Sequence, residues 1–238
     1  MNIIRSFKSL TRCERCIWFG SLTLITVSAL AVGRTDPLTV IASLLGATAL
    51  IFVGAGDALG QLLTIFFSLL YAIISFKLRY YGEMITYMGM TAPAAFCAMV
   101  TWLRHPYAEC EVKVAPMTRK RWFWLFASSI AATAFFGVLL ARWGTANLFF
   151  SVISVTTSWL ASILTIFRSP FYAAAYSAND VILIILWVLA SMQDTGYIPM
   201  VICFVVFLVN DMYGLINWSI MERHQDCRCK YKKEGAAS

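Results

Sequence analysis

The chain has 238 residues, 60% of them hydrophobic and only 13% charged, with a mean hydropathy of +0.74 and a formal net charge of +7. Soluble domains run nearer to about half apolar and about a quarter charged, so a soluble fold is excluded in favour of a multi-spanning membrane protein. The apolar runs are long and unbroken, whereas a membrane β-barrel would show short alternating segments.

Residues 1–16 carry Arg5, Lys8, Arg12 and Arg15 and read as a basic interfacial segment. Eight apolar runs follow, at 17–33, 38–54, 58–77, 84–103, 122–141, 145–167, 173–192 and 197–218. Several are only 17 to 20 residues long, near the minimum for spanning about 30 Å of hydrocarbon as a helix. The second and third are parted only by Ala55, Gly56 and Asp57, a tight turn in which Gly54 and Gly56 supply conformational freedom.

Eight spans put both ends of the chain on one side. That side holds 15 Lys and Arg: four in the N-terminal arm, five in the 104–121 loop, Arg168, and five after residue 218. The other side holds 4: Arg34, Lys77, Arg79 and Arg142. This bias assigns both termini to the cytoplasm of a cell (inner or plasma) membrane protein. Loop lengths divide the chain further. A basic arm and extra span (1–37) precede a first three-helix bundle (38–103). A cytoplasmic loop and linking helix (104–144), a second three-helix bundle (145–218) and a basic tail (219–238) follow. The fold expected is all-α, an extra N-terminal span plus a 3+1+3 parallel-repeat core, a layout common among transporters.

Polar residues inside apolar runs mark candidate sites, because hydrocarbon charges a high desolvation cost for them. On the 58–77 run Gln61, Thr64 and Ser68 share a face that Tyr71 continues. The Tyr80–Glu83 stretch reads as an exposed turn, and Pro93 removes a hydrogen bond mid-helix and can kink it. On the 145–167 run Ser158 and Trp159 face either a cavity or a packing partner. Asp180 lies inside the 173–192 run beside Asn179, with Tyr176 one turn earlier and Trp187 seven residues later. The last run closes on LVNDMYGLINW, where Asn210, Tyr213 and Asn217 form one stripe. Asp211 falls at the interface or on another face, Gly214 suits close helix packing, and Trp218 suits an aromatic belt.

No phosphate-binding loop or dinucleotide fingerprint occurs, and neither His105 nor His224 has a metal-site setting, so no enzyme activity, cofactor, metal or nucleic-acid partner is implied. Cys13, Cys16, Cys227 and Cys229 flank the bundle on one predicted side and read as reduced thiols rather than a zinc site.

Two segments, KLRYYGEMITYMGMTAPAAFCAMVTW (77–102) and FLVNDMYGLINW (207–218), resemble the PnuC family of nicotinamide riboside transporters. The resemblance covers 38–218. It implies a 3+1+3 helix arrangement related to the SWEET sugar transporters, a homotrimer, facilitated diffusion of a vitamin-like nucleoside, and trapping by a cytoplasmic kinase for NAD synthesis. Relatives carry thiamine or riboflavin. The family's Tyr-Gly-Glu falls on Tyr81, Gly82 and Glu83, with Tyr71 and Pro93 in their usual places. Its closing motif falls on Asn210, Tyr213, Gly214 and Trp218. Its Trp-x-x-x-Asn lands on Tyr176 and Asp180, and its Gly-x-x-Asn/Gln on Thr64 and Phe67, where the amide is absent. The substrate-binding set expected is therefore Asn210, Asp180, Tyr176, Tyr213, Gln61, Thr64, Asn179, Trp187 and Trp159.

Overall fold

The structure is a computed structural model that describes residues 3–33, 36–77, 82–108, 110–145 and 147–227 in full and the backbone alone of 81 and 228–234. Tyr80, the side chains of Tyr81 and Cys229, and several of the cations counted above lie outside the described residues.

A short helix α1 (Ile3–Ser9) leads into α2 (Arg12–Val32). The α2 helix begins five residues before its apolar run because Thr11 and Glu14 close a capping box: Glu14 N–H donates to Thr11 Oγ1, and Thr11 N–H donates to Glu14 Oε2 at 2.6 Å. There follow α3 (Pro37–Gly54), α4 (Ala58–Lys77), α5 (Tyr81–Ile85), a π-helical turn (Thr86–Thr91) and α6 (Ala92–Arg104). A hairpin of β1 (Pro106–Ala108) and β2 (Glu111–Val112) precedes α7 (Arg119–Arg142), α8 (Leu148–Ile166), α9 (Phe171–Ser191) and α10 (Ile198–Glu234). Among the described residues eight helical segments are long and apolar enough to cross a membrane, the number expected. Their outer faces carry exposed Phe123, Trp124, Ile130 and Phe135 on α7 and Val27 and Leu30 on α2, as lipid-facing surfaces do.

Pro93 cannot donate to the helix ladder, and the chain accommodates it with the π turn just before it. Ala92 N–H donates to Tyr87 O, five residues back, and Thr91 Oγ1 donates to Thr86 O at 3.2 Å. The turn faces Tyr87 and Thr91 into the bundle. Glu83 belongs to this interior too. It is only 7% exposed, so the reading of Tyr80–Glu83 as an exposed turn does not hold for Glu83.

The α3–α4 and α8–α9 connections are built alike. Gly56 (φ 77°) and Arg168 (φ 58°) take the left-handed conformation, donating to Val53 O and Thr165 O, both at 3.0 Å. The next residues, Asp57 and Ser169, donate their N–H groups to Phe52 O and Leu164 O at 2.9 and 3.0 Å. This pair of bonds is the Schellman stop of a helix. Gly56 takes its φ freely. Gly54, by contrast, stays helical, and its contribution is close approach: a Cβ there would lie 3.6 Å from Gly214 Cα on α10.

The same linkage joins the two bundles. Trp218 Nε1 on α10 donates to Val53 O on α3 at 3.0 Å, and Trp102 Nε1 on α6 donates to Thr165 O on α8 at 3.0 Å. The indoles lie 5.2 Å apart with Tyr172 beside Trp218. Trp218 is fully buried, so it anchors the core and not an aromatic belt. On the same end, Val112 N–H donates to Gly56 O and Ala115 N–H to Arg168 O, both at 3.0 Å, so the 112–115 linker straps both turns. Helix α10 runs past the expected end at 218 because Gln225 is bonded to that strap. Val114 N–H donates to Gln225 Oε1 (2.9 Å), and Gln225 Nε2 donates to Glu111 Oε1 (2.7 Å) and Val112 O (3.1 Å).

Candidate functional site

Two aromatic clusters divide the interior along its length. One gathers Phe67, Tyr71, Tyr87, Trp187, Phe204 and Phe207; the other holds Trp102, Tyr172 and Trp218 at the end strapped by the linker. Between them lies a narrow cavity of about 50 Å³, walled by α3, α4, the π turn, α8, α9 and α10. Gly46, Ala49, Leu50 and Val53 come from α3, and Gln61, Thr64 and Phe67 from α4. Tyr87 and Thr91 come from the π turn, and Ser158 and Thr165 from α8. Tyr176, Asn179 and Asp180 come from α9, and Phe207 and Asp211 from α10.

Helical spacing explains who meets here. Tyr176, Asn179 and Asp180 occupy one face at i, i+3 and i+4, and Gln61, Thr64 and Phe67 line another at i, i+3 and i+6. Ser154 Oγ and Thr157 Oγ1 both donate to Asn179 Oδ1, at 3.1 and 2.9 Å. Those bonds fix the carboxamide and leave its NH₂ for a ligand. Gln61 is 2% exposed and lines the cavity from α4. The α4 wall therefore does carry an amide, at Gln61, nearly two turns before Phe67 where the family has its own. Thr64 and Thr165 donate to their own helices, at Gly60 O and Ala161 O, and so show the cavity mostly methyl and acceptor surface.

Five of the nine expected residues share this wall: Gln61, Thr64, Tyr176, Asn179 and Asp180. Four do not line it, and each has another partner. Asn210 Nδ2 donates to Ser21 Oγ on α2 at 3.1 Å and to Val206 O at 2.8 Å. Tyr213 OH donates to Glu14 Oε1 at 3.0 Å, which also gives that buried carboxylate a donor across the helix interface. Trp187 Nε1 donates to Tyr71 OH at 3.0 Å in the aromatic layer behind the cavity. Trp159 Nε1 donates to Ser128 Oγ on α7 at 3.1 Å. The polar stripe of α10 thus faces α2 and the end of α3, where Asn217 Nδ2 also donates to Gly54 O at 2.9 Å. The adjacent stripe, Phe207 and Asp211, faces the cavity.

Asp211 is the functional candidate that sequence reasoning set aside. The available signal was bulk. The stripe Phe207, Asp211, Gly214, Trp218 pairs large rings with a glycine, as a tightly packed interior face does, while the stripe with more polar residues meets a neighbouring helix. It follows that Asn210→Leu leaves the KM for uptake unchanged within about threefold and lowers stability by less than about 1 kcal/mol, as interhelical hydrogen bonds in membranes usually do. A tenfold rise in KM in proteoliposome uptake would place Asn210 in the site after all.

Among the described residues no group of three or more His, Cys, Asp or Glu is arranged to hold a metal, and Cys13, Cys16 and Cys227 are exposed free thiols.

Residues 36–220 match the family model described as nicotinamide mononucleotide transporter. The chain belongs to the nicotinamide mononucleotide transporter family. A nicotinamide riboside transporter PnuC from Neisseria mucosa is 28% identical over 194 residues, which span 79% of this chain and 74% of that protein. The fold is similar to the crystal structure of the vitamin B3 transporter PnuC, with a TM-score of 0.79 and 27% identity over 91% of this chain and 94% of that one. As a member of the nicotinamide mononucleotide transporter family the chain is a membrane transporter, and the motif resemblance at 77–102 and 207–218 pointed to the same family. The family match begins at residue 36 and so leaves out α1 and α2, the elements that engage Asn210 and Tyr213.

Proposed function

We propose that the chain takes up nicotinamide riboside by facilitated diffusion, using the cavity between the two aromatic layers as its binding site. The observation that carries this reading is the lining itself. Tyr176, Tyr87, Phe67 and Phe207 offer ring faces and edges for a flat heteroaromatic ring, and Asn179 and Gln61 offer amides for ribose hydroxyls. Relatives named for nicotinamide riboside and vitamin B3 support it. Passage across the membrane follows from rocking one bundle against the other, opening the aromatic layers in turn. The protein works in the cell (inner or plasma) membrane as a homotrimer with both termini in the cytoplasm, the side holding the excess of Lys and Arg, and a cytoplasmic kinase traps the riboside for NAD synthesis. Related vitamins, thiamine or riboflavin, are the alternative cargo, since Tyr176 stands where the family usually has Trp.

Uptake of labelled nicotinamide riboside into proteoliposomes tests the proposal, with thiamine and riboflavin as competitors and with Na⁺ and proton gradients collapsed. Saturable uptake that persists without those gradients is the expected result. Absence of any riboside flux, at any riboside gradient, overturns it.

A further inference from the structure

The cavity has a feature that a neutral stacking site does not require. Asp180 from α9 and Asp211 from α10 both line it, each 4% exposed. Their carboxyl groups lie within hydrogen-bonding reach of each other. Among the described residues no N–H or hydroxyl group donates to the buried Asp180 Oδ2. Among the described residues no Lys, Arg or His lines the cavity to balance the pair. A hydrogen bond between two carboxyl groups needs at least one proton between them, so the pair as a unit carries at most one negative charge. A buried charge without a counter-charge is costly, and an unsatisfied carboxyl oxygen adds to the cost. A core built only for packing would use apolar side chains here at less expense. The rings of Tyr176 and Phe207, one turn before Asp180 and Asp211 on the same helices, present faces that also attract a cation.

We propose that Asp211, paired with Asp180, is a specificity-determining residue that selects cargo by charge: a flat heteroaromatic ring bearing one positive charge, in preference to a neutral ring of the same shape. The pair supplies the missing counter-charge, and the ligand supplies the cation that the protein lacks at this site. Asp180, one turn from Tyr176 on α9, is the contacting group, and Asp211 holds Asp180 in place while contributing to the shared charge. This inference rests on the cavity being the binding site, as proposed above, and it narrows the cargo to cationic rings. Nicotinamide riboside and thiamine both fit. Riboflavin, whose ring is neutral, does not.

The test is competition against labelled nicotinamide riboside, or against labelled thiamine if the riboside is not carried, in proteoliposomes of the full chain. The competitors are the unlabelled cation, the neutral dihydro form of nicotinamide riboside, which keeps the size and hydroxyls but loses the charge, and riboflavin. Wild type should prefer the cation over the dihydro form by at least about tenfold, well within the attraction between opposite charges a few ångströms apart in a protein. Asp211→Asn should cut that preference by about tenfold through weaker cation binding, with the neutral competitor unchanged or improved. Asp211→Glu should retain most of it. A wild type that binds both forms equally overturns the inference, as does an Asp211→Asn protein that weakens both to the same degree, the mark of a packing role. Should Asp211→Asn fail to fold, Asp180→Asn and the wild-type preference decide in the same way. Thiamine carried with strong charge preference supports this inference while sinking the nicotinamide riboside assignment. Riboflavin preferred over every cation overturns it.

Discussion

Gly46→Leu abolishes uptake while the protein still inserts in the membrane. Gly46 lines the cavity from α3, and a Cβ built on it would lie 2.4 Å from Phe207 Cζ and 2.9 Å from Phe67 Cε2. Both rings belong to the aromatic layer on one side of the cavity, where Phe67 and Phe207 sit edge to face at 5.5 Å. Even alanine forces these rings to move, and leucine also fills the space in which a ligand ring would lie. Overpacking of this kind costs about 1 to 3 kcal/mol, enough to lower uptake by about tenfold for Gly46→Ala and at least about a hundredfold for Gly46→Leu. Part of this cost falls on folding and is offset by glycine's poorer helix propensity, so inserted, folded protein should remain in amounts sufficient for the assay. Initial uptake rates normalised to inserted protein provide the measurement. Near-wild-type uptake by Gly46→Leu would show that the ligand does not pass between Phe67 and Phe207.

The helices were legible in the sequence because the bilayer demands long apolar runs, and nothing else in the chain imitates them. The turn at Gly56 was legible too, since a left-handed residue there favours glycine. Its counterpart at Arg168 was not, because an arginine gives no sign of a positive φ. The candidate site split along the same line. On α9, Tyr176, Asn179 and Asp180 face the cavity as their spacing predicts, whereas Trp187 bonds to Tyr71 outside it. On α10 two polar stripes compete, and periodicity cannot say which neighbour each will meet. The stripe of Asn210, Tyr213 and Asn217 met α2 and the end of α3, whose Ser21, Glu14 and Gly54 carbonyl happen to be complementary. Those contacts join residues more than 160 positions apart in the chain. They are tertiary facts, and only the packed structure contains them.

Gly214→Leu should strongly destabilise the bundle. At the crossing of α3 and α10 the backbones touch, with Gly214 Cα 3.6 Å from where a Gly54 Cβ would sit. A Cβ on Gly214 would in turn meet Tyr172 Oη at 3.0 Å. Small residues at such crossings let helices approach closely, and close approach is the main source of cohesion where lipid removes the hydrophobic drive. A leucine separates the helices and breaks three hydrogen bonds together: Trp218 Nε1 to Val53 O (3.0 Å), Tyr172 OH to Val53 O (3.4 Å) and Asn217 Nδ2 to Gly54 O (2.9 Å). At about 0.6 kcal/mol for each bond, plus 1 to 3 kcal/mol for overpacking, the loss is about 3 to 5 kcal/mol. That is a large part of the 5 to 15 kcal/mol typical of a folded domain. The equivalent crossing of α6 and α8 already has a Cβ, since Ala98 stands four residues before Trp102 as Gly214 does before Trp218. A methyl is therefore compatible with this type of contact, and Gly214→Ala should cost only about 1 kcal/mol as the Tyr172 hydroxyl swings aside. Thermal unfolding of purified protein in detergent separates the two: a small drop in Tm for alanine and a loss of folded, monodisperse protein for leucine. A leucine variant with wild-type Tm would mean that α3 and α10 do not depend on this contact.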